Sequence, residues 1–200
     1  MTILLNHSGK SDLILHENSY VSPTMLGWRL PRKVAYIHRH PLLNDHCLYF
    51  WDQQEQSPVA TQSQGLVFLL EDIYHDKRGE FQADKLILDV DLGLDGRLRL
   101  ITGFTTACAT TLMGSLAALS PRLLAGPMSM RLRPGTSHGV VLPTIYVESD
   151  WVDGRPMSRD DCGKPIPAID MLTEVQTLLK HALSVQLLPH EARRESKKAA

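Results

Sequence analysis

The strongest pattern in the chain is the alternation of apolar and charged positions in KLILDVDLGLDGRLRLITG, residues 85–103. Leu88, Val90 and Leu92 fall on one phase, Asp89 and Asp91 on the other; after the break Leu98 and Leu100 alternate with Arg97 and Arg99. A period of two over both halves predicts two strands with one face against a core. The break at Leu94-Asp95-Gly96 predicts a three-residue hairpin loop with Gly96 in the left-handed conformation. That loop would set Asp91 opposite Arg99 and Leu92 opposite Leu98. The same alternation returns in GPMSMRLRPG (126–135), with Met128, Met130 and Leu132 on one face and Ser129, Arg131 and Arg133 on the other. Shorter runs rich in aromatic and β-branched residues, KVAYIH (33–38), CLYFW (47–51) and GLVFLLEDIYHD (65–76), predict further strands. The polar DQQEQSPVATQSQG (52–65) between them reads as a loop. GVVLPTIYVESDWVDGRPM (139–157) reads as a strand, broken or at an edge because of Pro143, with a tight turn at Asp153-Gly154.

The period lengthens in two places. In TTACATTLMGSLAALSP (105–121), Cys108, Leu112, Leu116 and Leu119 recur at helical spacing, a threonine precedes them as N-cap and Pro121 follows. In IPAIDMLTEVQTLLKHALSVQLL (166–188), Pro167 opens a helix with Ile169, Leu172, Val175, Leu179, Ala182 and Leu183 as an apolar stripe. Strands, helix, strands, helix predicts an α+β fold: mainly antiparallel sheet with two amphipathic helices packed on one face. The expected organisation is a partly extended N-terminal segment over 1–32, a single domain over 33–188 and a polar, mildly basic tail over 189–200.

Composition adds exclusions. A 43% apolar and 22% charged chain of 200 residues is neither disordered nor membrane-embedded, since its apolar runs fall short of a bilayer span. The opening MTILLNHSGKSD lacks the basic start and sustained apolar run of a secretory signal, so the expected compartment is the cytoplasm. Three widely spaced cysteines, Cys47, Cys108 and Cys162, suit a reducing compartment. A net charge of −1 gives no global attraction to a polyanion, so any such site must be local.

YIHRHPLLNDHC (36–47) raises the question of a metal, because His38, His40, His46 and Asp45 are ligand types that zinc accepts. Pro41 ends the alternation that would converge the imidazoles, and no HExxH accompanies them, so no metal site is expected. The chain carries no GxSxG elbow, P-loop or GxGxxG motif. Cys108 sits on a helix stripe and reads as core. No cofactor is expected and no catalytic residue is assigned.

What remains is Arg-Leu-Arg, found at 97–99 and again at 131–133. Both arginine pairs belong to the sheet face turned away from the helices. With aromatic residues beside them, guanidinium groups on a sheet suit phosphates and stacked, unpaired bases. The candidate contact set is Arg97, Arg99, Arg131 and Arg133 with Tyr36, Arg39, Trp51 and Tyr146. The expected activity is non-catalytic binding of single-stranded nucleic acid, DNA first. The alternatives are a protein-interaction or assembly subunit and a small metal-dependent enzyme built on the 36–47 histidines.

The order of sheet, FTTACATTLMGSLAALSP, sheet and IPAIDMLTEVQTLLKHAL resembles the layout of Whirly-type single-stranded DNA-binding proteins, over about residues 85–188. That resemblance implies a homo-oligomer holding DNA along sheet edges. The family's basic Lys-Gly-Lys-Ala-Ala run is absent, so it assigns no residue of this chain.

Overall fold

In a computed structural model the residues described are 33–137, 139–148, 150–152 and 166–186. The expected segments 1–32 and 189–200 and the turn at Asp153-Gly154 lie outside them. The elements run β1 (Lys33–Ile37), β2 (Leu48–Asp52), β3 (Ser57–Ala60), β4 (Gly65–Arg78), β5 (Ala83–Asp91), β6 (Arg97–Gly103), α1 (Ala107–Ala117), α2 (Pro121–Leu124), β7 (Met128–Pro134), β8 (Val141–Val147), β9 (Asp150–Trp151) and α3 (Ala168–Gln186). The fold is α+β. Its nine strands form one sheet in the order β3-β2-β1-β6-β5-β4-β7-β8-β9. Every pairing is antiparallel except β1 with β6, which run parallel. The described residues belong to one unit, Pro31–Ala200.

β4 organises the sheet. Its first part, Gly65 to Phe68, pairs with β7, and its second, Leu69 to Arg78, pairs with β5. Burial marks a break between them. Phe68 and Leu70 face the core, but the next core residue is Ile73, which has the opposite parity. One extra residue restores the phase, and the register shifts between Leu70 and Asp72. Asp72 closes this bulge by accepting from the Ile73 amide at 2.9 Å. Gln176 of α3 donates to the Ile73 carbonyl at 2.9 Å, tying the helix to the bulge.

The hairpin of β5 and β6 forms as expected, but two residues out of the expected register. Asp91 pairs with Arg97, Asp89 with Arg99, Val90 with Leu98 and Leu88 with Leu100. The cause is the loop, which takes in Leu92 and Gly93 as well. The Leu92 amide donates to the Gly96 carbonyl at 2.8 Å, and Gly93 and Gly96 both hold positive φ, 69° and 83°. Asp91 is turned to the loop, accepting from the Gly93 amide at 2.9 Å. Because the shift is even, every side chain keeps its predicted face. The outward face is not solvated, however: Ile87, Asp89 and Ile101 are buried.

The polar stretch 52–65 is also more ordered than its composition suggests. β3 forms inside it and pairs with β2, Phe50 opposite Val59. As an edge strand it needs only one partner and tolerates Pro58. The remainder is held by side chains: Thr61 donates to the carbonyls of Leu48 and Ser63, at 3.1 and 2.6 Å.

Both main helices cover the inner face. Leu88, Val90, Leu98, Leu100, Met128, Met130 and Leu132 form one buried cluster with Cys108, Leu112 and Leu116 of α1 and Leu172, Val175 and Leu179 of α3. Thr106 caps α1, accepting from the Ala109 amide. Pro121 does more than terminate α1, since it opens α2 behind a Ser120 cap. Ile169, expected in the buried stripe, sits half-exposed in the first turn of α3, and Met171 is buried in its place.

Candidate nucleic-acid interface

The two Arg-Leu-Arg pairs have opposite fates. Arg99 makes a two-pronged contact with Asp89, Nε to Oδ1 at 2.8 Å and Nη2 to Oδ2 at 3.0 Å, with Tyr74 under its guanidinium at 5.8 Å. Its expected partner was Asp91; the register shift substitutes Asp89, which is almost fully buried. Arg97 binds Glu71 at 2.9 Å. Glu71 is the residue inserted by the β4 bulge, which aims its carboxylate at a strand two places away. Both β6 arginines are thus neutralised within the sheet.

Arg131 and Arg133 of β7 are exposed and have no carboxylate partner among the described residues. Pairing places Arg131 between Gly65 and Thr144, Ser129 between Val67 and Tyr146, and Arg133 opposite Leu142. Val67 (66% exposed), Leu69 (40%) and Leu142 stand on this outer face too. Over Gly65 and Ser129 lies an open depression of about 650 Å³, rimmed by Gln62, Val67, Arg131 and Tyr146. Its floor is low because Gly65 has no side chain. A Cβ there would meet the Met130 carbonyl oxygen at 3.0 Å.

The other candidates belong to different strands. Tyr36 stacks on Tyr49 with centroids 5.5 Å apart, and His40 presents an edge contact to Tyr49 and to Trp51. Arg39 pairs with Asp45 at 2.7 Å. This group occupies β1, β2 and the connection between them, which Gln64 of the depression reaches at the Cys47 amide and the Asp45 carbonyl. Of the eight residues, Arg131, Arg133 and Tyr146 come together on β7 and β8, Arg97 and Arg99 are matched by carboxylates within the sheet, and Arg39, Tyr36 and Trp51 form a second group on β1, β2 and their connection.

In the histidine stretch, His40 Nδ1 accepts from the Leu42 amide at 3.3 Å, and the buried Nδ1 of His46 has no hydrogen-bond partner. Among the described residues no group of three or more His, Cys, Asp or Glu is placed to hold a metal. Burial raises the Cys47 thiol and pushes that of Cys108 up to about 12. Both stay protonated and inert as nucleophiles at neutral pH.

Gln62 and Gln64, placed in a polar loop, and Gly65, placed where that loop meets the predicted strand 65–76, were not among the candidate contacts. Gln64 accepts from the Cys47 amide at 2.9 Å and donates to the Asp45 carbonyl at 3.0 Å, while its own carbonyl accepts from Leu132 at 2.8 Å. It locks the wall of the depression to the β1–β2 connection and to β7. The one signal available was Gly65, a glycine at the start of an apolar strand, where close approach of another backbone is the usual reason. No protein-family model, no curated protein and no solved structure matches this chain, so its likeness to Whirly-type proteins rests on element order alone.

Proposed function

We propose that this chain binds single-stranded nucleic acid, DNA in the first instance, without catalysing a reaction on it, through the outer face of β4, β7 and β8. One observation carries the reading: Arg131 and Arg133 are exposed, lack a carboxylate partner among the described residues and stand two positions apart on one strand face. At the rise of a strand that spacing is about 7 Å, which suits consecutive phosphates of an extended chain. Tyr146, Val67, Leu69 and Leu142 on the same face supply surface for unpaired bases. Arg97, Arg99 and Arg39 leave the contact set, since their charges are already matched. The test is fluorescence anisotropy with a labelled single strand at low and high salt. Arg131→Ala/Arg133→Ala should weaken binding and lower the slope of log affinity against log salt by at most about 1.4, about 0.7 for each phosphate contact. Wild type that fails to bind, or a folded double variant with unchanged affinity and slope, overturns the proposal.

A second reading, an assembly subunit, draws on Val67 and Leu69, adjacent exposed apolar side chains on one strand face. Sedimentation velocity over a range of concentrations separates the two. Self-association abolished by Val67→Asp, without any binding of oligonucleotide, would favour assembly.

A further inference from the structure

The depression beside Arg131 has a shape that phosphate binding alone does not require. Val67, Ser129 and Tyr146 occupy one cross-strand row on β4, β7 and β8. The two larger side chains are therefore separated by two strand spacings, about 9.6 Å, with only a serine between them. In the next row Gly65 contributes nothing above the backbone and Arg131 flanks it. The result is a slot with one apolar wall, one aromatic wall, a floor of small residues and a cation at its end. Gln62 stands exposed at the rim, and its amide makes no hydrogen bond with the described residues.

The geometry points to a subsite for a single planar base, inserted edge-on between Val67 and Tyr146 while Arg131 holds the adjoining phosphate. This rests on the nucleic-acid reading of the face and adds to it that the base itself is gripped. A planar ring fills such a slot with stacking on Tyr146 and apolar contact on Val67, a sequence-tolerant interaction because every base has a π face. The amide of Gln62 offers both a donor and an acceptor to the edge of that ring. A duplex, whose bases are already stacked and paired, has no base to insert.

The experiment compares two labelled probes of equal length and charge, an oligothymidylate and an abasic deoxyribose-phosphate strand, titrated at two salt concentrations. Wild type should bind the oligothymidylate at least about fivefold more tightly, the lower end of stacking on one aromatic side chain. Tyr146→Ala should remove most of that difference and leave the salt slope unchanged, whereas Arg131→Ala should weaken both probes and reduce the slope. Gly65→Val fills the slot directly. Because its Cβ crowds the Met130 carbonyl, its melting temperature is measured alongside, and Tyr146→Ala decides if it does not fold. Equal affinity of wild type for both probes, or an unaltered preference in folded Tyr146→Ala, refutes the subsite and leaves the phosphate-binding face standing. Absence of binding to either probe refutes both.

Discussion

Removing the Arg99 guanidinium should cost this protein much more than removing that of Arg97, although both occur in the same Arg-Leu-Arg. The Asp89 side chain is 2% exposed and that of Arg99 26%, and the two share hydrogen bonds of 2.8 and 3.0 Å. Arg99→Met keeps most of the apolar stem but takes the guanidinium away from a buried carboxylate. Breaking a buried pair from one side costs about 3–5 kcal/mol, and the partial exposure of Arg99 argues for the lower end, about 3 kcal/mol. For a chain of this size that is a fall of about 6–12 °C in melting temperature. Arg97 and Glu71 are 30% and 21% exposed, so Arg97→Met should lose at most about 1 kcal/mol, in the range of solvent-accessible pairs. The double variant Asp89→Leu/Arg99→Met removes both charges and should recover most of the loss, since apolar replacements of buried pairs are often neutral. Urea unfolding of wild type, both singles and the double measures the coupling, expected near 2–3 kcal/mol. If Arg99→Met loses under about 1 kcal/mol, or if the two single losses simply add, the pair is not the buried unit described here.

Other outcomes follow from the same packing. Leu100 is fully buried opposite Leu88, so Leu100→Asp should leave no cooperative unfolding transition by circular dichroism; a well-folded variant would contradict the observed register. Gln64→Ala withdraws the acceptor from the buried Cys47 amide and should cost about 1–3 kcal/mol in urea unfolding, with faster hydrogen exchange over 45–47. Cys108 ionises near 8.5 when unfolded and at about 12 when folded, so its contribution to stability is complete below the first value and is lost as pH rises toward the second. Stability measured across that interval should therefore fall less steeply in Cys108→Ala than in wild type.

The sequence by itself determined the elements and the side of each that faces the core. Period-two alternation in β5, β6 and β7 and helical spacing in α1 and α3 are properties of consecutive residues, and burial of one face follows from them whatever the partner. The β4 bulge is not written locally, since Val67 and Leu69 are apolar and share the parity of Ile73; packing chose Phe68 and Leu70 for the core instead. Which charges remain available was decided by tertiary structure. Arg97 and Arg131 sit in nearly identical local patterns, yet one meets the Glu71 carboxylate brought round by a bulge two strands away and the other meets Gly65 and Thr144. The pairing of Arg99 with Asp89 turned on a hairpin loop two residues longer than its turn residues implied. The slot over Gly65 and Ser129 joins positions 64 residues apart. A strand's sequence carries its period but not its neighbours, and neighbours are fixed by the order in which nine strands share one sheet.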